Sequence, residues 1–254
     1  INVQSWGTQT IEPIAQVIAR PNEPQVGRWP NEDAQSLIFD DTNLFKVDKF
    51  SGYDRVEGGG RANYGLTYTA QFNQGGAFNA LFGQSYSLWN NSFAQGGISN
   101  TGLDSGLDST RSDYVARASF QPNATYKFTS RFRLDNDTLT VKRTELEAAA
   151  NFDRWTVSLM YGDYAAQPEI GFLDRRQGVL GSASVKLDAN WVVRGSALYD
   201  LESEKFAANS LGVAYVNDCL ILGLNYITNY SYGTGSPQLN HTIMIQLSLR
   251  TLGD

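Results

Sequence analysis

The 254-residue chain has one cysteine, Cys219, and one histidine, His241. A lone cysteine cannot build an internal disulfide framework, and one histidine beside it leaves no zinc-type ligand spacing, so neither a structural metal nor a cofactor is expected. Basic residues are outnumbered, 20 Lys and Arg against 26 Asp and Glu, for a formal charge of -6. That balance supplies no clustered basic face, and nucleic acid is not an expected partner. Long apolar runs are missing too, since no window approaches the roughly 18 consecutive apolar residues a membrane-spanning helix requires. The first residues, Ile1 to Gly7, lack the charged and apolar regions of a signal peptide, so an exported protein would be represented here by a processed or internal piece.

Charged residues make up 18% of the chain and its mean hydropathy is -0.34. Neither value argues against a membrane barrel, in which only every second residue faces lipid. Aromatics at 12% and 24 glycines favour strands and the turns between them. The clearest pattern is a two-residue alternation: Tyr126, Phe128, Phe132 and Leu134 fall on one side, Lys127, Thr129, Arg131 and Arg133 on the other. Successive strand side chains point to opposite faces, so this describes a sheet with one apolar face and one that accepts charge. Twelve such segments are expected, near 11–20, 59–72, 77–90, 112–121, 124–135, 138–151, 154–165, 175–187, 190–201, 205–216, 219–231 and 239–250. In the last, Ile243, Ile245, Leu247 and Leu249 alternate with Thr242, Met244, Gln246, Ser248 and Arg250.

A water-soluble β-sandwich shows the same alternation. Two features favour an antiparallel transmembrane β-barrel. Phe72, Phe78, Trp155, Trp191, Tyr226 and Tyr230 sit at the ends of apolar stripes, where interfacial girdles lie, although aromatics also favour strands in general. Tight turns at Asn73–Gly76, Gln121–Asn123, Asn151–Arg154, Asp188–Asn190 and Asn217–Asp218 alternate with generally longer connections, the longest near 21–58 and 91–111. Outer-membrane barrels have short periplasmic turns and long extracellular loops, which would place the C-terminus in the periplasm. Pro13 suits an edge or strand end. Asn31, Glu32 and Asp33 ahead of Ala34, Leu37 and Ile38 allow either a short helix or an irregular loop with a satellite apolar cluster. The loop near 91–111, dominated by Gly, Ser, Asn and Asp, is expected to be mobile.

Catalysis has few places to stand. A lipase arrangement on the lipid-facing wall would pair a histidine with a serine two residues later, and position 243 is Ile, so His241 reads as an interfacial residue. Glu145, Glu147, Asp113 and Asp200 lie near Arg143, Arg117 and Arg194, which fits cross-strand charge pairing in a barrel wall. The chain is expected not to be an enzyme.

The run Phe50-Ser51-Gly52-Tyr53-Asp54-Arg55-Val56-Glu57-Gly58-Gly59, preceded by Phe39-Asp40-Asp41-Thr42-Asn43-Leu44-Phe45, closely resembles the barrel of the LptD family of lipopolysaccharide-assembly proteins. The ending Leu247-Ser248-Leu249-Arg250-Thr251-Leu252-Gly253 is similar to that family's ending, so the two motifs bracket nearly the whole chain. The resemblance implies a protein of the Gram-negative outer membrane that takes lipopolysaccharide from a periplasmic bridge protein and inserts it into the outer leaflet. Family members carry a periplasmic jellyroll domain ahead of a barrel of about 26 strands. Residues 1–254 would then be the C-terminal portion of that barrel, with the bridge protein met through a domain outside this chain. An LptE-like plug lipoprotein, lipopolysaccharide and outer-membrane lipid are the implied partners.

In the family, late-strand cysteines form disulfides to the jellyroll, which would assign a bridge to Cys219. Familiar members have two adjacent cysteines, whereas Leu220 follows here, so a single bridge, a free thiol or a small apolar residue at a strand start all stand. A lateral gate would have the last strand, with Ile243, Ile245, Leu247 and Leu249, as one side, and its proline-weakened partner upstream of Ile1. Pro13 would lie mid-barrel and is not that strand. By parity Lys127, Arg131, Arg133, Lys186 and Arg194 face the lumen, where cations could meet phosphates. A closed general porin of about twelve strands is the alternative function.

Overall fold

The computed structural model describes residues 2–23, 32–33, 37–94, 102–231 and 238–249. Thirteen strands follow one another in sheet order as they do in the chain. They are β1 Asn2–Gln4, β2 Gly7–Ala19, β3 Gly60–Phe72, β4 Ala77–Trp89, β5 Tyr114–Gln121, β6 Tyr126–Leu134, β7 Val141–Asn151, β8 Trp155–Tyr164, β9 Arg176–Lys186, β10 Trp191–Asp200, β11 Lys205–Val216, β12 Leu220–Ser231 and β13 Gln238–Leu249. The only helical turn among the described residues is a 3-10 turn at Pro168–Ile170. The chain is all-β, and its up-and-down order is the one from which membrane barrels are made.

The twelve expected strands occur within three residues of their expected ends, except that the first starts at Gly7 rather than near residue 11. The thirteenth, β1, pairs with Gly7–Gln9 through the turn at Ser5–Trp6, and at three residues it is too short to show any alternation. Beyond Gln9, β2 pairs along one side only, with β3, and Pro13 lies there opposite Leu66. A residue without an N–H is tolerated where no second ladder needs it. The expected helix over 31–38 lies largely outside the described residues; Leu37 to Phe39, which are described, have no regular structure.

Two compact units divide the chain: Ile1–Asn123 with Thr129–Glu145 and Tyr164–Arg175, and Ala124–Phe128 with Leu146–Asp163 and Arg176–Asp254. In the first, the buried apolar residues are not a conventional sheet-on-sheet core. Leu37, Phe39, Leu44 and Phe50 from one long connection, and Phe93 and Leu107 from the other, gather with Val115 of β5 and the half-buried Phe45 and Leu81. The long loops therefore carry their own core and lay it against one face of the strands. The loop expected to be mobile contributes to it, with Ser105 and Leu107 buried.

In the second unit, register builds a continuous apolar lattice. Leu211, Tyr226 and Ile243 are aligned across β11, β12 and β13, as are Val213, Leu224 and Ile245, and Tyr215, Leu222 and Leu247. Ile243, Ile245 and Leu247 are 69%, 72% and 64% exposed. Soluble monomers rarely leave contiguous apolar patches of more than a few hundred Å² uncovered. A face of this kind is built for lipid, as in a transmembrane barrel wall, rather than for the interior of a sandwich.

Candidate functional site

The chemistry-bearing residues of the first unit lie on the face opposite its lipid-type stripe, beneath the first long loop. The turn Asp40–Leu44 is set by short-range bonds. The Thr42 N–H and hydroxyl donate to Asp40 Oδ1 at 2.8 and 2.6 Å, the Asp40 N–H donates to Asn43 Oδ1 at 3.0 Å, and Asn43 Nδ2 donates to the Ile38 carbonyl at 2.6 Å. Phe39 and Leu44 are fully buried on either side of it. Leu44 reaches the sheet over Gly83, where a Cβ would sit 2.5 Å from its Cδ2, so the glycine lets the loop touch backbone. Between these anchors Asp41 points to the strands, 3.2 Å from Arg117 of β5 and 3.3 Å from Arg131 of β6. Burial raises the Asp41 carboxyl above the usual range even though both guanidiniums pull it down.

Further along the same loop a second charged cluster is sealed in. The Asp48 carboxylate accepts from the N–H groups of Phe50 and Glu57 at 3.0 and 3.2 Å and pairs with Arg20 at 3.1 Å. Glu57 accepts the Lys49 N–H at 3.0 Å and pairs with Arg61 at the start of β3, while Lys49 Nζ lies 3.7 Å from it. The Lys49 side chain is wholly buried, and this desolvation, helped by the neighbouring Arg61, pushes its ammonium down to about 6. Lys49 is accordingly a neutral amine at pH 7 beside an ionised Glu57–Arg61 pair, despite its nearness to the carboxylate.

The motif Phe50 to Arg55 folds around this cluster. Phe50 is buried against Phe93 with ring centroids 5.0 Å apart, Arg55 is buried, and Tyr53 is 97% exposed. Asp33 accepts the Tyr53 and Asp54 N–H groups at 2.6 and 3.0 Å, and Asp54 in return accepts those of Glu32 and Asp33 at 2.7 and 3.3 Å. Gly52 is the residue that fits in the bend with Ser51, because an added Cβ would lie 2.1 Å from the Asp33 carboxylate. The motif is thus a folding unit of the loop, with no side-chain constellation for catalysis.

The second long loop is held similarly. Arg133 pairs with Asp113 at 3.2 Å and donates to the carbonyls of Ser105 and Asp104. Asp113, just ahead of β5, is pushed up to about 6 by burial that outweighs its Arg133 partner. Gln167 Nε2 and the Glu169 N–H in turn hold Asp104, at 3.0 and 2.9 Å. Glu145 accepts from Arg143 and, at 2.7 Å, from the Tyr164 hydroxyl. Of the pairings expected along this stretch, Arg143 meets Glu145, whereas Arg117 meets Asp41 rather than Asp113.

In the second unit the corresponding face carries a row of hydroxyls. Ser158 and Ser182 are hydrogen-bonded at 2.7 Å, Ser182 is aligned with Ser196, and Ser196 bonds Ser210 at 2.8 Å. Arg194 shares this face, aligned with Ser184 and Gly212, and Lys186 is two residues from Ser184 on the same strand. Lys127 is exposed near the start of β6. Cys219 is an exposed free thiol in the turn before β12, where the Asn217 side chain accepts the N–H groups of Cys219 and Leu220 at 3.0 and 2.7 Å. His241 Nδ1 bonds the Tyr226 hydroxyl at 2.7 Å on the apolar face. Ile243, Ile245, Leu247 and Leu249 lie on β13, and residues 250–253 of the closing motif are outside the described residues.

The polar core of Asp41, Asp48, Lys49, Glu57 and Arg61 was not singled out by sequence reasoning as a site. Its signal was there: charged residues at intervals among Phe39, Leu44, Phe45 and Phe50, aromatic and aliphatic anchors too frequent for a solvated loop.

Residues 2–170 match the family described as LptD: LPS transport system D. The chain is similar to three curated proteins named LPS-assembly protein LptD. That of Aliivibrio fischeri is 22% identical over 97% of this chain and 33% of its own length. That of Haemophilus influenzae strain Rd is 24% identical over 97% and 34%, and that of Vibrio cholerae 26% identical over 86% and 29%. The chain spans about a third of the length of these relatives.

Proposed function

Since the chain belongs to the LPS transport system D (LptD) family, we propose that it forms part of the β-barrel through which lipopolysaccharide is transported and inserted into the outer leaflet of the outer membrane. The observation that carries this reading is the two-faced sheet: an exposed apolar lattice across β11–β13, and in β3–β6 a charged face roofed by its own long loops. A sugar and phosphate cargo would travel along the polar face while acyl chains stay on the lipid side. Lys127, Arg131, Arg133, Lys186 and Arg194 are the cations proposed to line the lumen.

In this reading the short turns are periplasmic, as is the C-terminus, and Cys219 in one such turn is reachable from the periplasm for a disulfide to another domain. β13, with Ile243, Ile245, Leu247 and Leu249, forms one side of a lateral opening. An LptE-like lipoprotein fills the lumen, and a periplasmic bridge protein delivers the substrate to a domain outside this chain. A general porin of about twelve strands is not favoured, because the relatives are LPS-assembly proteins of about three times this length.

The test is complementation. A Gram-negative strain depleted of its own LptD is supplied with the full-length protein containing this chain, and newly made lipopolysaccharide at the cell surface is quantified. Restored surface delivery is the expected result. Failure to deliver, with solute conductance by the purified protein, would instead support the porin.

A further inference from the structure

Asp41 is a carboxylate held in an unusual way. Its side chain is 1% exposed and set between two guanidiniums at 3.2 and 3.3 Å, yet neither of its oxygens receives a hydrogen bond among the described residues. The charges are matched, but the forks of Arg117 and Arg131 are not satisfied in the bidentate manner that makes guanidinium–oxyanion pairs strong. The seat is also reachable: Arg117 and Arg131 remain 29% and 26% exposed. Asn79 Oδ1 accepts from Arg117 and orients that fork from the sheet side, independently of the loop. Asp41 itself is delivered by the loop, on the turn that Asp40 and Asn43 close.

We propose that Arg117 and Arg131 form a phosphate seat of which Asp41 is the removable occupant, so that a phosphorylated ligand displaces the carboxylate and frees the Asp40–Leu44 turn from the sheet. A phosphate offers more acceptor oxygens and more charge than a carboxylate, in a tetrahedral layout that two forks can share. Occupancy of the seat and closure of the first long loop are then mutually exclusive, and the ligand opens its own way along the face. The identity of the natural phosphate carrier rests on the transport reading above; the seat itself does not.

The experiment uses the full-length protein in detergent and measures hydrogen exchange over 37–50 together with phosphate binding by calorimetry. Inorganic phosphate should raise exchange over this segment where chloride at equal ionic strength does not. Asp41→Asn should open the segment without ligand and tighten phosphate binding roughly tenfold to a hundredfold, the scale of one or two charge-assisted hydrogen bonds no longer contested. Arg117→Gln with Arg131→Gln should abolish the phosphate response. Should Asp41→Asn fail to fold, phosphate protection of Arg117 and Arg131 from phenylglyoxal in the wild-type protein gives the same answer. Unchanged phosphate affinity in Asp41→Asn, or no protection of the two arginines, would overturn the seat. Intact lipopolysaccharide opening the segment, with its dephosphorylated form inert, identifies the lipid-borne phosphate as the ligand; a response to inorganic phosphate alone supports a seat for the free ion. Loss of the seat with surface delivery intact refutes this proposal alone, and loss of delivery with the seat intact refutes only the transport reading.

Discussion

Glu57 and Lys49 are neighbours in the buried loop cluster, but their removal is expected to have opposite effects. Glu57→Gln leaves Arg61, whose side chain is 8% exposed, without its carboxylate. Breaking a buried pair from one side costs about 3–5 kcal/mol, and because Arg61 keeps the carbonyls of Lys46 and Val47, we expect the lower end, ~3 kcal/mol. Lys49 is different, for its ammonium is pushed from 10.5 down to about 6. Holding it uncharged at pH 7 costs on the order of 5 kcal/mol at most, and local relaxation brings the gain expected from Lys49→Met nearer ~1–4 kcal/mol. The backbone bond from the Lys49 N–H to Glu57 survives the substitution.

The pH dependence follows from the same group. Between about 6 and 10.5 the folded loop binds fewer protons than the unfolded one, so its stability rises with pH across that window and is lowest below it. Pulse proteolysis of the full-length protein from pH 6 to 9, with cleavage scored within 37–61, reads the opening free energy of the loop. Lys49→Met should raise that free energy and flatten its pH profile, and Glu57→Gln should lower it. A Lys49→Met loop as labile as Glu57→Gln, or wild-type protection that falls as pH rises, would refute the account of Lys49 as a neutral amine.

Ile245→Lys puts a charge in the middle of the apolar lattice, where the native side chain is 72% exposed. Against lipid this should cost ~2–4 kcal/mol, seen as a lowered folded fraction in lipid-vesicle refolding, whereas a face turned to water would tolerate it. Asp113, raised from 3.8 to about 6, makes the folded second loop bind more protons in that interval, so protection of 102–113 in hydrogen exchange should fall as pH rises from about 4 to 6. Asp113→Asn should remove the slope, and a profile rising with pH would contradict the assignment.

The strands were legible because each presents an uninterrupted two-residue alternation, as β13 does from Ile243 to Leu249. Boundaries slipped where local chemistry ends a strand within an apparently suitable sequence. Thr138 to Thr140 alternate acceptably, yet the Asp135 carboxylate captures the N–H groups of Asp137 and Thr138, and Leu139 takes a positive φ of 57°, so β7 waits until Val141. The loops were less legible. Composition made 91–111 read as mobile, but Ser92 and Ser105 are nearly fully buried and bond loop carbonyls. A serine in a Gly-rich loop looks alike whether it faces water or a carbonyl. The partners of Asp41 lie 76 and 90 residues away in the chain, a separation that no local pattern encodes.

The hydroxyl row from Ser158 through Ser182 and Ser196 to Ser210 bears on friction. Each hydroxyl both donates and accepts, and its resident bond is to a neutral neighbour that can rotate away. A glycan sliding along this face exchanges one weak bond for an equivalent one at every step. The landscape it meets there is shallow and evenly spaced, with the deep wells confined to the few guanidiniums that punctuate it.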